Sequence, residues 1–520
     1  MPPRRSALLA AVLGIAAGVL LAGPLQAQTE FAVPLAPGTL RVDFTPLWSS
    51  WDHRFQPGAA GLVPITADYT TDSLGTANLP FLSQLQDTLR SATGLGAFSL
   101  NLGHPLIALN ASVRTLPVGL ELGISRRLAI GVTVPIVRSR VDASFNLDTA
   151  LARRSNVGWN PAFLDATRDS AFRSQMTAAL AALQTQATSG PPALRPQALA
   201  AIAALTPFLA ASRQPFLPRD STVAAESLLI RLARADSSYT QLAGQYQALG
   251  DSLPALGSAG LTLPEAALIR DDLERLYSDP ALPVAADTFG TVVKTGIGDI
   301  TAHLTYQVAE GARYRGQIVL TVRFPTGEAP SATTFLDLGT GTHQLGFEGA
   351  LANDFILGEH FLIHAVGRAG AAAADQIPMR VTPPEFPIAP LSQLATIRRK
   401  PAPWLGADLA PTWLVDDAFS VRVAYGFFSQ GPTKHSYVNP ADSAVVLLPA
   451  SVLDQDTGVR WMRIGGGVTF STVGRYAKGR ASLPYSVTVS YENTVYGGGG
   501  RVPQESVFHI AIRGYVKLFK

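Results

Sequence analysis

Ten charged side chains recur, among polar neighbours, in one phase of the period-two runs of this 520-residue chain. Glu121, Asp299, Glu348, Asp408 and Glu492 supply carboxylates, and Arg323, Arg368, Arg422, Arg463 and Arg513 supply guanidinium groups. His303, His364 and His509 share that phase. Balanced charges of this kind can pair and hydrogen-bond along a wet surface, but they do not form a selectivity ring of one sign. Other chemistry is poorly served. His360 and His364 are four apart in a strand pattern rather than on a helix, so a metal site is not expected there. His435 and Ser436 are adjacent, and adjacent strand residues point to opposite faces, so they do not form a base and nucleophile pair. Gly296-Ile297-Gly298 enters a strand with no helix after it and is not a dinucleotide loop. The chain contains no cysteine, which removes thiolate metal sites, disulfides and cysteine nucleophiles. The expectation is a protein that is not an enzyme, with no cofactor and no metal.

The elements that must hold these side chains are long strands. Ile300, Ala302, Leu304, Tyr306 and Val308 alternate with Asp299, Thr301, His303, Thr305 and Gln307, and Ile318, Leu320 and Val322 alternate with Gln317, Thr321 and Arg323. Further on, Val421, Val423 and Tyr425 oppose Ser420 and Arg422, while Phe508, Ile510 and Ile512 oppose His509, Ala511 and Arg513. A period of two gives one apolar and one polar face. A soluble sandwich would turn the apolar face inward; a membrane barrel turns it towards lipid. Three features favour the barrel. Its runs are about 10–15 residues long where soluble strands average about 5–6, full charges sit in mid-strand, and tight turns alternate with long links. The expected strands are 40–50, 106–124, 128–145, 296–310, 313–326, 343–355, 360–370, 403–415, 419–436, 458–472, 483–496 and 506–519. The fold class read from this is all-β: a twelve-stranded antiparallel transmembrane β-barrel with an α-helical domain inserted between strands 3 and 4.

Composition agrees with a secreted membrane protein. Charged residues are only 15% and hydrophobic residues 47%. The formal charge is +3, and the leader itself holds Arg4 and Arg5, so nothing points to nucleic acid. Residues 1–27 read as a signal peptide, with a basic start and an apolar run from Ala7 to Ala22. Residues 28–146 would then carry strands 1–3 and a long first external loop, residues 147–295 the helical insertion, and residues 296–520 strands 4–12. In the insertion the alternation vanishes and 30 of the 140 residues from 151 to 290 are Ala. Asn160-Pro161 reads as a helix start, Phe172, Met176, Leu180 and Leu183 as a helical stripe, and Thr222–Leu249 and Pro264–Tyr277 as further helices. Trp48, Trp51, Trp404, Trp413, Tyr425, Tyr485, Tyr491, Tyr515 and Phe519 fall near strand ends, where interfacial girdles sit.

Leu122-Gly123-Ile124-Ser125-Arg126-Arg127-Leu128-Ala129-Ile130-Gly131-Val132 has the hairpin pattern of many outer-membrane barrels. Three later motifs follow in order: Gly296-Ile297-Gly298-Asp299-Ile300, Phe324-Pro325-Thr326-Gly327 and Asp337-Leu338-Gly339-Thr340-Gly341. The ordered set resembles the outer-membrane transporter-like family named for the meta-pathway of phenol degradation, over residues 110–145 and 296–370. The resemblance implies a barrel that takes up small organic compounds; it implies no defined substrate residues, and the large insertion departs from the family pattern.

The sequence thus leads to an outer-membrane barrel, exported through its signal peptide, that serves as a passive channel for small, apolar or aromatic organic compounds. The alternative is a structural or surface-interaction protein whose barrel anchors the external helical domain. The partners expected are outer-membrane lipid, a small organic solute and an extracellular partner for the insertion. The lumen-lining set would be Glu121, Asp299, His303, Arg323, Glu348, His364, Arg368, Asp408, Arg422, Arg463, Glu492, His509 and Arg513.

Overall fold

Two of the expected tight turns show why the chain reverses where it does. After Gly123, the Ser125 hydroxyl accepts from the Arg127 amide at 3.3 Å and the Ser125 amide donates to the Leu128 carbonyl at 3.0 Å. At the other, Asp416 Oδ1 accepts from the amides of Ala418 and Phe419 at 2.6 and 2.9 Å. These are short side-chain caps of the kind Ser and Asp supply in turns.

In a computed structural model of the chain, such turns join twelve long antiparallel strands. They are β1 (Thr39–Phe44 continuing as Leu47–Trp51), β2 (Pro105–Gly123), β3 (Leu128–Leu147), β4 (Thr291–Ile297 continuing as Thr301–Glu310), β5 (Tyr314–Arg323) and β6 (Gly346–Ile356). Then come β7 (Phe361–Ala372), β8 (Trp404–Leu414), β9 (Phe419–Gln430), β10 (Val459–Ser471), β11 (Tyr485–Gly498) and β12 (Ser506–Lys517). Each pairs with the next, and β12 returns to β1 in the register Thr39↔Lys517 to Phe44↔Ile512. The sheet is therefore closed, which leaves no long edge to bond other chains. The structure describes residues 35–148 apart from 57–60, 69–71, 85, 88–89 and 91–95, then 155, 157–159, 166–211, 228–230, 253–257, 270–280, 283–286, and 289–519 apart from 335 and 384–388.

Two strands are broken where the sequence reading had them continuous. β1 breaks at Thr45-Pro46, because proline has no amide to give the ladder. β4 breaks at Gly298–Ile300 and begins at Thr291, five residues earlier than expected. β9 ends at Gln430; Lys434–Tyr437 leaves the barrel and joins Asp375–Arg380 and Leu394–Lys400 in a small sheet external to the ring of twelve strands.

The side-chain alternation faces the expected way. Leu320, Phe347, Val423, Tyr491 and Ile512 are exposed on the outside, while Thr488, Ser490, His509 and Arg513 are buried inside. An exposed apolar belt around a closed barrel with a polar interior is the signature of a lipid-spanning β-barrel, since ladder pairing around the ring spares lipid the backbone polar groups. Five of the nine expected girdle aromatics, Trp413, Tyr425, Tyr485, Tyr491 and Phe519, lie exposed outside. Trp51, Trp404 and Tyr515 do not belong to that girdle. Trp51 is buried in the loop-end core, and Trp404 and Tyr515 share strand parity with Asp408 and Arg513 and so turn inward.

The hairpin β2–β3 is much taller than its neighbours, pairing from Gly123↔Ala129 up to Pro105↔Leu147. Its upper part carries an apolar core in which Phe145 of β3 and Trp51 of β1 meet Leu79, Phe98 and Phe289 from the surrounding loops. Helix α3 (Arg270–Ser278) adds Leu273, Leu276 and Tyr277 to it. Helices α1 (Ala166–Ser189) and α2 (Arg195–Ala211) pack on each other around Ala179, Leu183, Ala198 and Leu205. Leu183 of the expected stripe is fully buried there and Leu180 packs against it. The signal peptide, the Asn160-Pro161 start, and the side chains of Phe172 and Met176 lie outside the described residues, as do 222–227 and 231–249. Within the expected helix Thr222–Leu249, Leu228–Ile230 is instead a short strand paired with Val157–Trp159.

Candidate functional site: the lumen and its neck

Cross-strand register builds the centre of the lumen. On β1, Arg41 and Asp43 share the inward face and line the interior. Arg41 stands opposite Glu121 on β2, and Asp43 opposite Arg513 on β12. The side chains meet accordingly. Arg41 Nη2 donates to Glu121 at 2.7 Å, Arg41 Nε to Asp43 at 2.9 Å, and Arg513 Nε lies 3.2 Å from Asp43. His303 reaches in from β4 with Nε2 3.6 Å from Glu121, and the Thr305 hydroxyl donates to the same carboxylate at 3.0 Å. Glu121 is thus a buried charge held by several donors, the condition under which a buried carboxylate is tolerated.

Two cavities meet at this cluster. The upper, of about 190 Å³, is lined by Asp299, Arg323, Glu348, Arg463 and Glu505 among others; the lower, of about 470 Å³, by Glu121, Gln317, Val319 and Arg513 among others. Arg41 and His303 belong to both walls. The lower cavity extends to the tight-turn end, where Arg127 and Lys517 line it.

A long loop closes in on the upper cavity. Between Arg323 and Gly346 the chain leaves the wall and folds back against the break in β4. Asp299, in that break, accepts from the Gly327 amide at 2.9 Å and from the Thr342 amide and hydroxyl at 2.7 Å each. Gly327 and Gly341 pack so closely that a Cβ on Gly327 would stand 2.6 Å from the Gly341 Cα. Gly339 has φ +69°, a conformation that suits glycine, and its amide donates to Asp337 at 2.8 Å. Thr340 Oγ1 donates to the Ile297 carbonyl at 3.0 Å. The three glycine-rich motifs, scattered over 46 residues, therefore form one knot that pins the loop. Among the described residues, Thr291–Ile297 pairs with β3 alone, and this loop fills the wall beside it.

Seven of the thirteen residues expected to line the lumen border one or both cavities: Glu121, Asp299, His303, Arg323, Glu348, Arg463 and Arg513. His364, Arg368, Asp408, Arg422, Glu492 and His509 line neither of these two. They lie in the half of the barrel bounded by β6–β12, with Arg368 and Arg422 within electrostatic reach of Glu492. Arg368 pairs with Asp408, His364 Nδ1 lies 2.6 Å from Asp354, and His509 lies 3.2 Å from Ser490. Glu348 is within electrostatic reach of Arg368 and Arg323, so the network continues to the upper cavity. Arg463 pairs with Glu505 and stacks over Trp461 at 4.3 Å.

Sequence reasoning missed Arg41, Asp43 and Asp354, whose alternate spacing with outward Phe44 and Phe355 was a sufficient signal. It had no signal for Glu505, which comes from a loop folded inward. The pair His435 and Ser436 lies in the external sheet, where His435 Nδ1 is 3.1 Å from Asp454. Among the described residues no group of three metal-ligating side chains converges.

No protein-family model and no curated protein matches the chain. Solved structures that resemble it include an outer membrane channel from Pseudomonas putida F1, with 10% identity over 93% of this chain and 98% of that one, at a TM-score of 0.43. The toluene transporter of Ralstonia pickettii aligns at 8% identity over 92% and 90%, TM-score 0.29, and a Pseudomonas aeruginosa FadL homologue at 8% over 92% and 90%, TM-score 0.26. Closed pairing of twelve strands, an exposed apolar belt and a charged interior make this chain an outer-membrane β-barrel.

Proposed function

We propose that the barrel is a passive passage for small organic solutes, running through the upper and lower cavities. The observation that carries this reading is the shared wall of Arg41 and His303, which leaves only a neck of side chains between two cavities stacked along the barrel. Twelve strands lie between the filled interiors of eight-stranded barrels and the open channels of sixteen-stranded ones, so a narrow route fits the strand number. Apolar inward residues such as Val319 and Ala350 suit a solute with an apolar body. The resemblance to the phenol meta-pathway family agrees with this solute class. Reconstitution of the full chain into planar bilayers tests it: stepwise conductance and flux of a small aromatic solute are expected, and a silent barrel overturns it.

The anchor reading is favoured by one observation, the separate core of α1 and α2 around Leu183. In barrels of this type tight turns face the periplasm and long links the exterior. We therefore assign the turns at Arg126 and Asp416 to the periplasm and the insertion between Leu147 and Thr291 to an external helical domain. Protease added to intact cells should cut within 189–196, between α1 and α2, and spare both tight turns. Cleavage only after permeabilisation inverts the assignment.

A further inference from the structure

The lower cavity has two unlike walls. On β5, β6 and β7 its inward face is apolar apart from Gln317, with Val319, Ala350, Ala352 and Val366 forming a buried cluster. Facing them, β12 and β1 present Arg513, Lys517 and Arg41, and the β2–β3 turn adds Arg127. In a closed ring of twelve strands β6 stands across from β12, so the apolar and cationic walls face each other over the cavity. Glu121 is the single carboxylate among the residues lining it. The upper cavity has the reverse balance: Arg41, Arg323 and Arg463 against Asp43, Asp299, Glu348 and Glu505.

The positive surplus sits at the mouth. Arg41 and Arg513 are engaged with Glu121 and Asp43, whereas Arg127 and Lys517 are exposed at the tight-turn end. A neutral solute would match the apolar wall and leave these cations hydrated as before. An organic cation would be repelled by them. A solute with an apolar body and one negative charge matches both walls at once, and an anion reaching the neck from above would move from the acid-rich cavity into the cation-rich one.

We propose that the lower cavity is a binding site for a small organic carboxylate. Its apolar body lies against Val319, Ala350, Ala352 and Val366, and its carboxylate is drawn to Arg127 and Lys517. The site deepens the passage reading and rests on it for the route by which the solute arrives.

Titration calorimetry on the full-length protein in detergent at low ionic strength tests the site with three probes of matched size: benzoate, benzyl alcohol and benzylamine. Benzoate should bind about tenfold more tightly than the alcohol, and benzylamine more weakly than either. Replacing the mouth charges in an Arg127→Gln, Lys517→Gln double variant should weaken benzoate about threefold per charge, down to the level of the alcohol, and leave the alcohol unchanged. Val319→Asn should weaken both. Both mouth residues are exposed, so the fold should survive; if the variant does not fold, the unaltered protein gives the answer. Raising the ionic strength to about 1 M, where the screening length is about 3 Å, should then bring benzoate close to the alcohol. Equal affinity for benzoate and the alcohol, or a preference indifferent to the double variant or to salt, overturns the proposal. Because calorimetry needs no conduction, a silent barrel that binds benzoate sinks the passage reading alone. A conducting barrel that does not discriminate sinks only this one.

Discussion

His303 Nε2 lies 3.6 Å from Glu121 Oε1 although their strands are not neighbours; the two meet over the backbone of Gly131 on the strand between them. A Cβ on Gly131 would stand 2.4 Å from His303 Nε2 and 2.9 Å from the Leu120 carbonyl oxygen. Gly131→Val should therefore push His303 off the carboxylate and into the neck. Overpacking of this kind costs about 1–3 kcal/mol. Single-channel recordings should show a lower conductance than the unaltered protein, and an unchanged conductance would mean that His303 does not border the route.

Asp299 holds the inward loop by three hydrogen bonds. Asp299→Ala leaves the Gly327 and Thr342 donors without that acceptor, and bonds to a charged acceptor are worth about 1.5–3 kcal/mol each at most sites. The loop between Arg323 and Gly346 should loosen while the barrel remains closed. Hydrogen exchange should rise at residues 327–342 and stay slow on β5 and β6; uniform loss of protection would place Asp299 in the stability of the whole barrel instead.

The outward face should refuse charge. Leu320 is 54% exposed on the outside of β5 while its neighbour Val319 is buried inside. Leu320→Arg should cost about 2–4 kcal/mol if the position lies at mid-bilayer. Urea unfolding from lipid vesicles reads that loss. Thr321→Arg, one residue on and facing the lumen, should cost less.

His435 makes the external sheet acid-sensitive. Burial pushes its imidazole below the ordinary histidine range, against the opposing pull of Asp454, which hydrogen-bonds it. A histidine that titrates lower when folded takes up protons more readily when unfolded. Stability is therefore unaffected above the ordinary value near 6.5 and falls as pH drops below it. Hydrogen exchange across 394–400 and 434–437 should quicken between about pH 6.5 and 5, and His435→Gln should flatten that response. An equal response in the variant would assign the sensitivity to other groups.

The local alternation of the sequence determined the barrel and its inside-out polarity. Inverting a strand would set Leu320 and Ile512 against the wet interior and Arg323 and Arg513 against lipid, so the strands and most inward residues were legible without any tertiary information. The same parity would have placed Arg41, Asp354 and Trp404 inward, had every strand been followed through. Tertiary structure alone decided which charges meet. Period two says that Glu121 faces inward, but its partners on β1 and β4 depend on register and on the missing side chain of Gly131. The three glycine-rich motifs were visible one by one; their assembly around Asp299 depends on a loop turning back into the lumen, which no local pattern encodes. The division of the interior into a packed ionic half and two cavities has the same origin. It comes from long side chains crossing from wall to wall, and the distances they cross exist only once the ring has closed.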